Sequence, residues 1–201
     1  MIDWLKISTK ELAAELTNRV DLFNEDGFLS SDELYRLRCK LGAVICVDSV
    51  PVRKRADGTI EAMAIKRKTG PYAGKLCLVG GTVKKGDSIE ESARGHFKTD
   101  LGADIDFLTL WDKPACLHQL ANGSLKTDFA PDPTKDHVIA LVYLVSLKGE
   151  KFIFGATPHG GQEVEDIFWF SLDNMPLPEE FGYNNSVVFR KCLLLAKTLL
   201  K

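Results

Sequence analysis

His96, Thr99 and Asp100 are three and four residues apart near the end of the stretch GGTVKKGDSIEESARGHFKTDLGAD, Gly80 to Asp104. On a helix that spacing puts an imidazole, a hydroxyl and a carboxylate on one face. The trio suits a divalent cation or a proton transfer; the plainer reading of the same pattern is a solvated helix face. Ahead of it, Gly80-Gly81 lets the main chain turn sharply and approach a ligand that a Cβ would obstruct. Lys84 and Lys85 follow, able to steer an anion or simply to solubilise the loop.

The elements that must hold these residues are readable. Ser88 with Glu91 forms a capping box and Leu101-Gly102 a helix stop. Between them Ile89, Ala93 and Phe97 recur at fourfold spacing and should face a core. Strand patterns surround this helix: GAVICVDSV, EAMAIKR after a turn at Asp57-Gly58, and KLCLV before it; ADIDFLTLWD, ACLHQLA, HVIALVYLVSL and EDIFWFSL after it. Asn122-Gly123 marks a hairpin turn, Pro131 and Pro133 an irregular loop, and SVVFRKCLLLAKTLL a closing helix. Strands outnumber helices without a regular alternation, which predicts an α/β (α+β) fold, a mixed sheet packed between helices.

Residues 1–40 read as a helical extension and 41–201 as the main domain. Leu12, Leu16 and Val20 give the first helix, and Ser30 with Glu33 caps a second. The intervening NEDGFLSSDEL imitates a calcium loop, with Asn24, Asp26, Gly27 and Glu33 at ligand or turn positions; Leu22 stands where the first acidic ligand is needed, so turn plus capping box is preferred.

The 201 residues, 45% apolar, suffice for one core plus an appendage. A formal charge of −2 gives no reason to bind nucleic acid over a wide face. Five cysteines lack C-x-x-C spacing and suit buried thiols in a reducing cytosol. The first residues lack a basic segment before an apolar one, and Val138 to Leu147 is too short to span a bilayer. A cytoplasmic protein without a membrane partner is expected.

The stretch from Gly81 resembles the box of the Nudix family, G-x5-E-x7-R-E-U-x-E-E-x-G-U with U apolar. Gly81, Phe97 and Gly102 match it, and Asp87 and Asp100 replace its first and last glutamates. Gly95, His96 and Thr99 replace the arginine and two further glutamates, and Ala103 is a weak match to the last apolar position. PYAGKLCLVGG and EVEDIFWFSLDNMP resemble the family's flanking strands, so the likeness covers about residues 41–200. Within the family the chain is similar to the GDP-mannose mannosyl hydrolases, whose box also keeps only the final acid. The similar features are Lys66-Arg67 with twelve residues between it and Gly80, Pro71, Gly74, Val83, Lys85, LKTDF before His137, and Asn185-Ser186. That branch carries a histidine base where Val164 stands here, and His159 is the nearest substitute.

The resemblance implies a Nudix-like fold and hydrolysis of a nucleoside diphosphate linked to another moiety, nucleotide sugars leading, or a Nudix-fold nucleotide-binding module without turnover. It implies Mg2+ or Mn2+ at Asp100, the Gly81 carbonyl and Glu163, with His96 favouring the softer ion if it joins. His159, Glu163 and Glu165 are the catalytic candidates, with His118 competing for the base. Arg67, Lys85 and Asn185 are the candidates for substrate contact. The partner is then a small nucleotide, and a homodimer is compatible with the pattern.

Overall fold

Apolar strand segments pair in the computed structural model, which describes residues 44–69, 72–84, 86–110, 115–120, 136–149, 151–154, 163–183 and 185–201, with 115–120 and 136–138 by main chain alone. The expected helices and calcium-like loop of residues 1–40, the Asn122-Gly123 turn, the Pro131 and Pro133 loop, and the LKTDF segment lie outside the described residues. The strands are β1 (Val44–Lys54), β2 (Ile60–Arg67), β3 (Leu76–Cys77), β4 (Val79–Thr82), β5 (Ile105–Leu110), β6 (Ala115–Leu120), β7 (Asp136–Leu147) and β8 (Val164–Phe170). Two helices join them, α1 (Ile89–Leu101) and α2 (Asn185–Leu199).

The sheet is mixed. β1 runs parallel to β7 and antiparallel to β4 and β2, β2 is flanked by β3 and β8, and β7 also pairs antiparallel with β5 and β6. β7 reads as a continuous apolar run because it is buried among partners on both edges. On β2, Met63 and Ile65 join a cluster with Ala93 and Phe97 of α1. The alternate Ala62 and Ala64 are equally buried, and α2 packs on that strand. Successive side chains of a strand point to opposite faces, so the two helices cover opposite faces, as the strand and helix patterns predict.

α1 begins and ends where its capping residues dictate. The Ser88 hydroxyl accepts the Glu91 N–H at 3.2 Å and the Glu91 carboxylate accepts the Ser88 N–H at 2.7 Å. Gly102 closes the helix in the left-handed region at φ 63°. Ser88→Ala should therefore cost about 1 kcal/mol, read as a lower urea midpoint at unchanged slope.

Cys46, Cys77 and Cys192 are buried and not in disulfides, and burial pushes Cys77 up to about 11 and Cys192 up to about 12. No helix among the described residues is long and apolar enough to cross a membrane.

Candidate active site

Two strand ends and one helix end bring the candidate groups together. Arg67 is the last residue of β2, and there the β2–β8 register shifts so that Arg67 pairs with Val164. That shift sets Glu163, just before β8, beside the guanidinium, and the two form an ion pair. The main chain repeats the tie, since the Lys68 N–H donates to the Glu163 carbonyl at 2.7 Å.

Asp100 comes from the last turn of α1, where it is 7% exposed. Burial pushes its carboxyl up to about 7; the Glu163 carboxylate adds to the rise, while Arg67 and Lys84 oppose it. Helix end, β8 entry and β2 exit thus lie within electrostatic reach of one another, two carboxylates beside a guanidinium among the described residues.

A further acid lies within electrostatic reach of the same guanidinium. Asp48 of β1 lies opposite Gly80 of β4, with its Oδ1 against that glycine: a Cβ there would stand 2.4 Å from it. Burial pushes Asp48 up to about 7, against the pull of Arg67. Sequence reasoning missed Asp48. The available signal was a carboxylate inside the apolar strand VICVDSV, where burial without a partner is costly.

His96 is placed differently from a free ligand. Its ring lies over Gly81, where a Cβ would sit 2.6 Å from His96 Cε1, and its Nε2 stands 3.1 Å from the Thr82 carbonyl. A carbonyl only accepts, so Nε2 carries the proton and Nδ1 keeps the lone pair. Burial holds the ring below the usual histidine range, which favours that neutral form. Gly81 is required here for contact rather than for φ. Gly81→Ala should displace His96 and cost about 1–3 kcal/mol, and the loss should shrink when His96 is also Ala, as read by denaturant unfolding of the two variants.

Asp87 braces the segment between β4 and α1. Its carboxylate accepts the Ser92 hydroxyl at 3.2 Å, and Ser92 Oγ accepts the Lys84 N–H at 3.0 Å. Glu165 is engaged elsewhere, with Lys66 Nζ at 2.8 Å. Asn185, at the start of α2, is 3% exposed, and its Oδ1 meets no hydrogen-bond partner among the described residues. Val164, where the resembled branch has its histidine, is 1% exposed in the core cluster. His159 and Lys85 lie outside the described residues, as does the His118 side chain.

Among the described residues no three His, Cys, Asp or Glu side chains are grouped as a closed metal cage. The donors present fit a hard cation of another kind. Asp100 and Glu163 repel one another, a cation between them would relieve that repulsion, and Mg2+ is commonly held by one or two carboxylates with substrate phosphates and waters completing its shell.

Comparison with known proteins agrees with this architecture. The family described as Domain of unknown function (DUF4916) matches residues 24–188. The ADP-ribose pyrophosphatase of Methanocaldococcus jannaschii is 26% identical over 125 residues, 60% of this chain and 62% of that protein. The chain thus spans less than two thirds of that relative's length. A NUDIX hydrolase from Nitrosomonas europaea superposes with a TM-score of 0.54 at 14% identity, over 75% of this chain and 70% of that one. The NUDIX domain of Shewanella oneidensis NrtR, in complex with ADP ribose, gives 0.50 at 13% identity, over 80% and 90%. The fold is that of the Nudix hydrolases.

Proposed function

We propose, from the premise that the chain belongs to the family described as Domain of unknown function (DUF4916) and has the Nudix fold, that it is a metal-dependent hydrolase of nucleoside diphosphates linked to a sugar. The Arg67–Glu163 ion pair with Asp100 within reach of both charges carries this reading. ADP-ribose is the first substrate to try, given the M. jannaschii relative, and nucleotide sugars of the GDP-mannose type come next.

When bound, Mg2+ or Mn2+ supplies positive charge to the bridging diphosphate and its leaving group. The chain's own residues do the rest. Asp100, Glu163 and the Gly81 carbonyl would hold the cation with hard oxygen. Arg67 donates charge-assisted hydrogen bonds to the phosphate oxygens and keeps Glu163 in place. Lys84, whose charge is felt at Asp100, draws the anion toward the end of β4. Asp48, with its proton held to about 7, is poised to exchange that proton near neutral pH, as efficient acid–base catalysis requires. His159 remains a candidate for the base that activates water.

A binding module without turnover is the second reading, favoured by Gly95, His96 and Thr99 in place of charged box residues and by the Thr82 bond that engages His96. Incubation of the protein with ADP-ribose, GDP-mannose and dinucleotides in Mg2+ or Mn2+, followed by phosphorus NMR, separates the two. Nucleoside monophosphate would report attack at phosphorus; intact nucleoside diphosphate plus free sugar would report attack at carbon. No product from any substrate, with micromolar binding of one of them, would overturn the hydrolase in favour of the module.

A further inference from the structure

Among the described residues two non-glycine positions have positive φ, Tyr72 at 62° and Tyr183 at 53°. An L side chain held there is strained and persists only where its surroundings impose it. The two tyrosines pack on each other: their ring centroids are 4.3 Å apart and tilted by 54°. Both ends are fixed by main-chain bonds. Gly74 N–H donates to the Arg67 carbonyl at 2.7 Å and Lys75 N–H to the Tyr72 carbonyl at 3.0 Å; Gly182 N–H donates to the Leu76 carbonyl at 2.8 Å and Asn185 N–H to the Gly182 carbonyl at 3.0 Å. Gly182 admits no side chain, since a Cβ would stand 2.8 Å from that of Tyr72 and 3.0 Å from Cys77 Sγ.

The outcome of this arrangement is the place of one hydroxyl. Tyr183 Oη accepts Arg67 Nη1 at 2.8 Å, while Nε donates to the Thr69 carbonyl at 3.1 Å and Nη2 pairs with Glu163. All three guanidinium nitrogens are held, and only the Tyr183 contact comes from the α2 side of the chain. We propose that Tyr183 is a positioning residue: locked by its strained pairing with Tyr72, its hydroxyl fixes the Arg67 guanidinium beside Glu163, oriented for the diphosphate. Its part in the reaction rests on the hydrolase reading; its grip on Arg67 does not. A purely structural Tyr183 would need its ring and not its hydroxyl.

Tyr183→Phe keeps the ring and removes only the hydroxyl. It should lower kcat/KM by about tenfold, and by less than about twofold when introduced into Arg67→Lys, because the fork it positions is then absent. Unchanged kcat/KM, or the same loss in both backgrounds, would overturn the proposal. In the substrate-free protein, solvent exchange of the Arg67 Nε–H, followed by nitrogen-15 NMR, should quicken severalfold in Tyr183→Phe, and equal exchange would overturn it whatever the enzyme does. Quickened exchange in a protein that turns over no substrate would sink the hydrolase and leave the positioning standing.

Discussion

Asp100→Asn should lower metal-dependent turnover by at least about a hundredfold without lowering the thermal midpoint at pH 8. The substitution keeps the shape of a side chain that is 7% exposed and removes the charge that the site uses. Its effect on stability has the opposite sign from its effect on rate. Burial and the Glu163 carboxylate both oppose ionisation of Asp100, so at pH 8 the ionised carboxylate strains the fold and a neutral amide relieves it. Steady-state rates and a thermal scan on the same preparation check both halves. Turnover within about twofold of wild type would remove Asp100 from the mechanism.

Stability should rise as pH falls from about 7 toward 5, the reverse of ordinary acid denaturation. Asp48 and Asp100 hold their protons to about 7 in the folded protein, against 3.8 for an unperturbed aspartate. The folded state therefore binds protons that the unfolded state has released, and lowering the pH through the folded value favours it. The gain levels off as the unfolded carboxyls begin to protonate. Above about 7 both groups are charged in either state and the penalty is complete. Asp57, Glu90 and Glu91 have lowered values, held down chiefly by the Thr59 N–H, the Tyr143 hydroxyl and the Ser88 N–H respectively. Their stabilisation is present above their unperturbed values and is lost only on further acidification. His96, which burial holds below its unperturbed 6.5, opposes the rise below that pH, because the unfolded chain then takes up a proton that the folded one refuses; two carboxylates outweigh one imidazole, so the net rise is smaller but keeps its sign. With about 1.4 kcal/mol for each tenfold change in proton affinity, and relaxation around charged groups reducing the sum, an effect on the order of 2 kcal/mol per carboxylate is expected. Urea unfolding at pH 5.5 and 8 measures it, and Asp48→Asn should flatten the difference by about half. The same linkage makes cation and proton compete for the site: Mg2+ should raise the unfolding midpoint more at pH 8 than at pH 5.5. A flat profile in wild type would show that neither carboxyl is held neutral.

Much of the architecture could be read from residue patterns because local rules and packing agree. Ser88, Glu91 and Gly102 bound α1 as their types require, and the apolar run of β7 is the parallel partner of β1. The strand pattern around β1 stopped at Val50, ahead of Pro51, yet β1 continues to Lys54. It does so by changing partners, pairing with β7 through Pro51 and with β2 from Val52 onward. KLCLV read as one strand, but Leu76–Cys77 pairs with β2 and Val79–Thr82 with β1. Such divisions depend on which strand lies alongside, a long-range fact that local periodicity does not carry.

The site was legible in part for the same reason. Arg67, Asp100 and Glu163 were singled out by motif; the β2–β8 register sets Arg67 beside Glu163, and Asp100 faces their charges from the last turn of α1. His96 was legible as a candidate, but its hydrogen bond to Thr82 follows from the close approach of β4 to α1. Asp48 needed knowledge of which face of β1 meets Gly80. Tyr72 and Tyr183 were invisible, because tyrosine is a residue for which no propensity argues a positive φ.

The central claim is that Asp100 and Glu163 hold one divalent cation beside the diphosphate, and crystals soaked with Mn2+ and ADP test it most directly. An anomalous difference peak bridging the two carboxylates and the ADP phosphates, and absent from Asp100→Asn crystals, is the expected result. ADP bound with no peak at Asp100, or a manganese peak that survives the substitution unchanged, would contradict it.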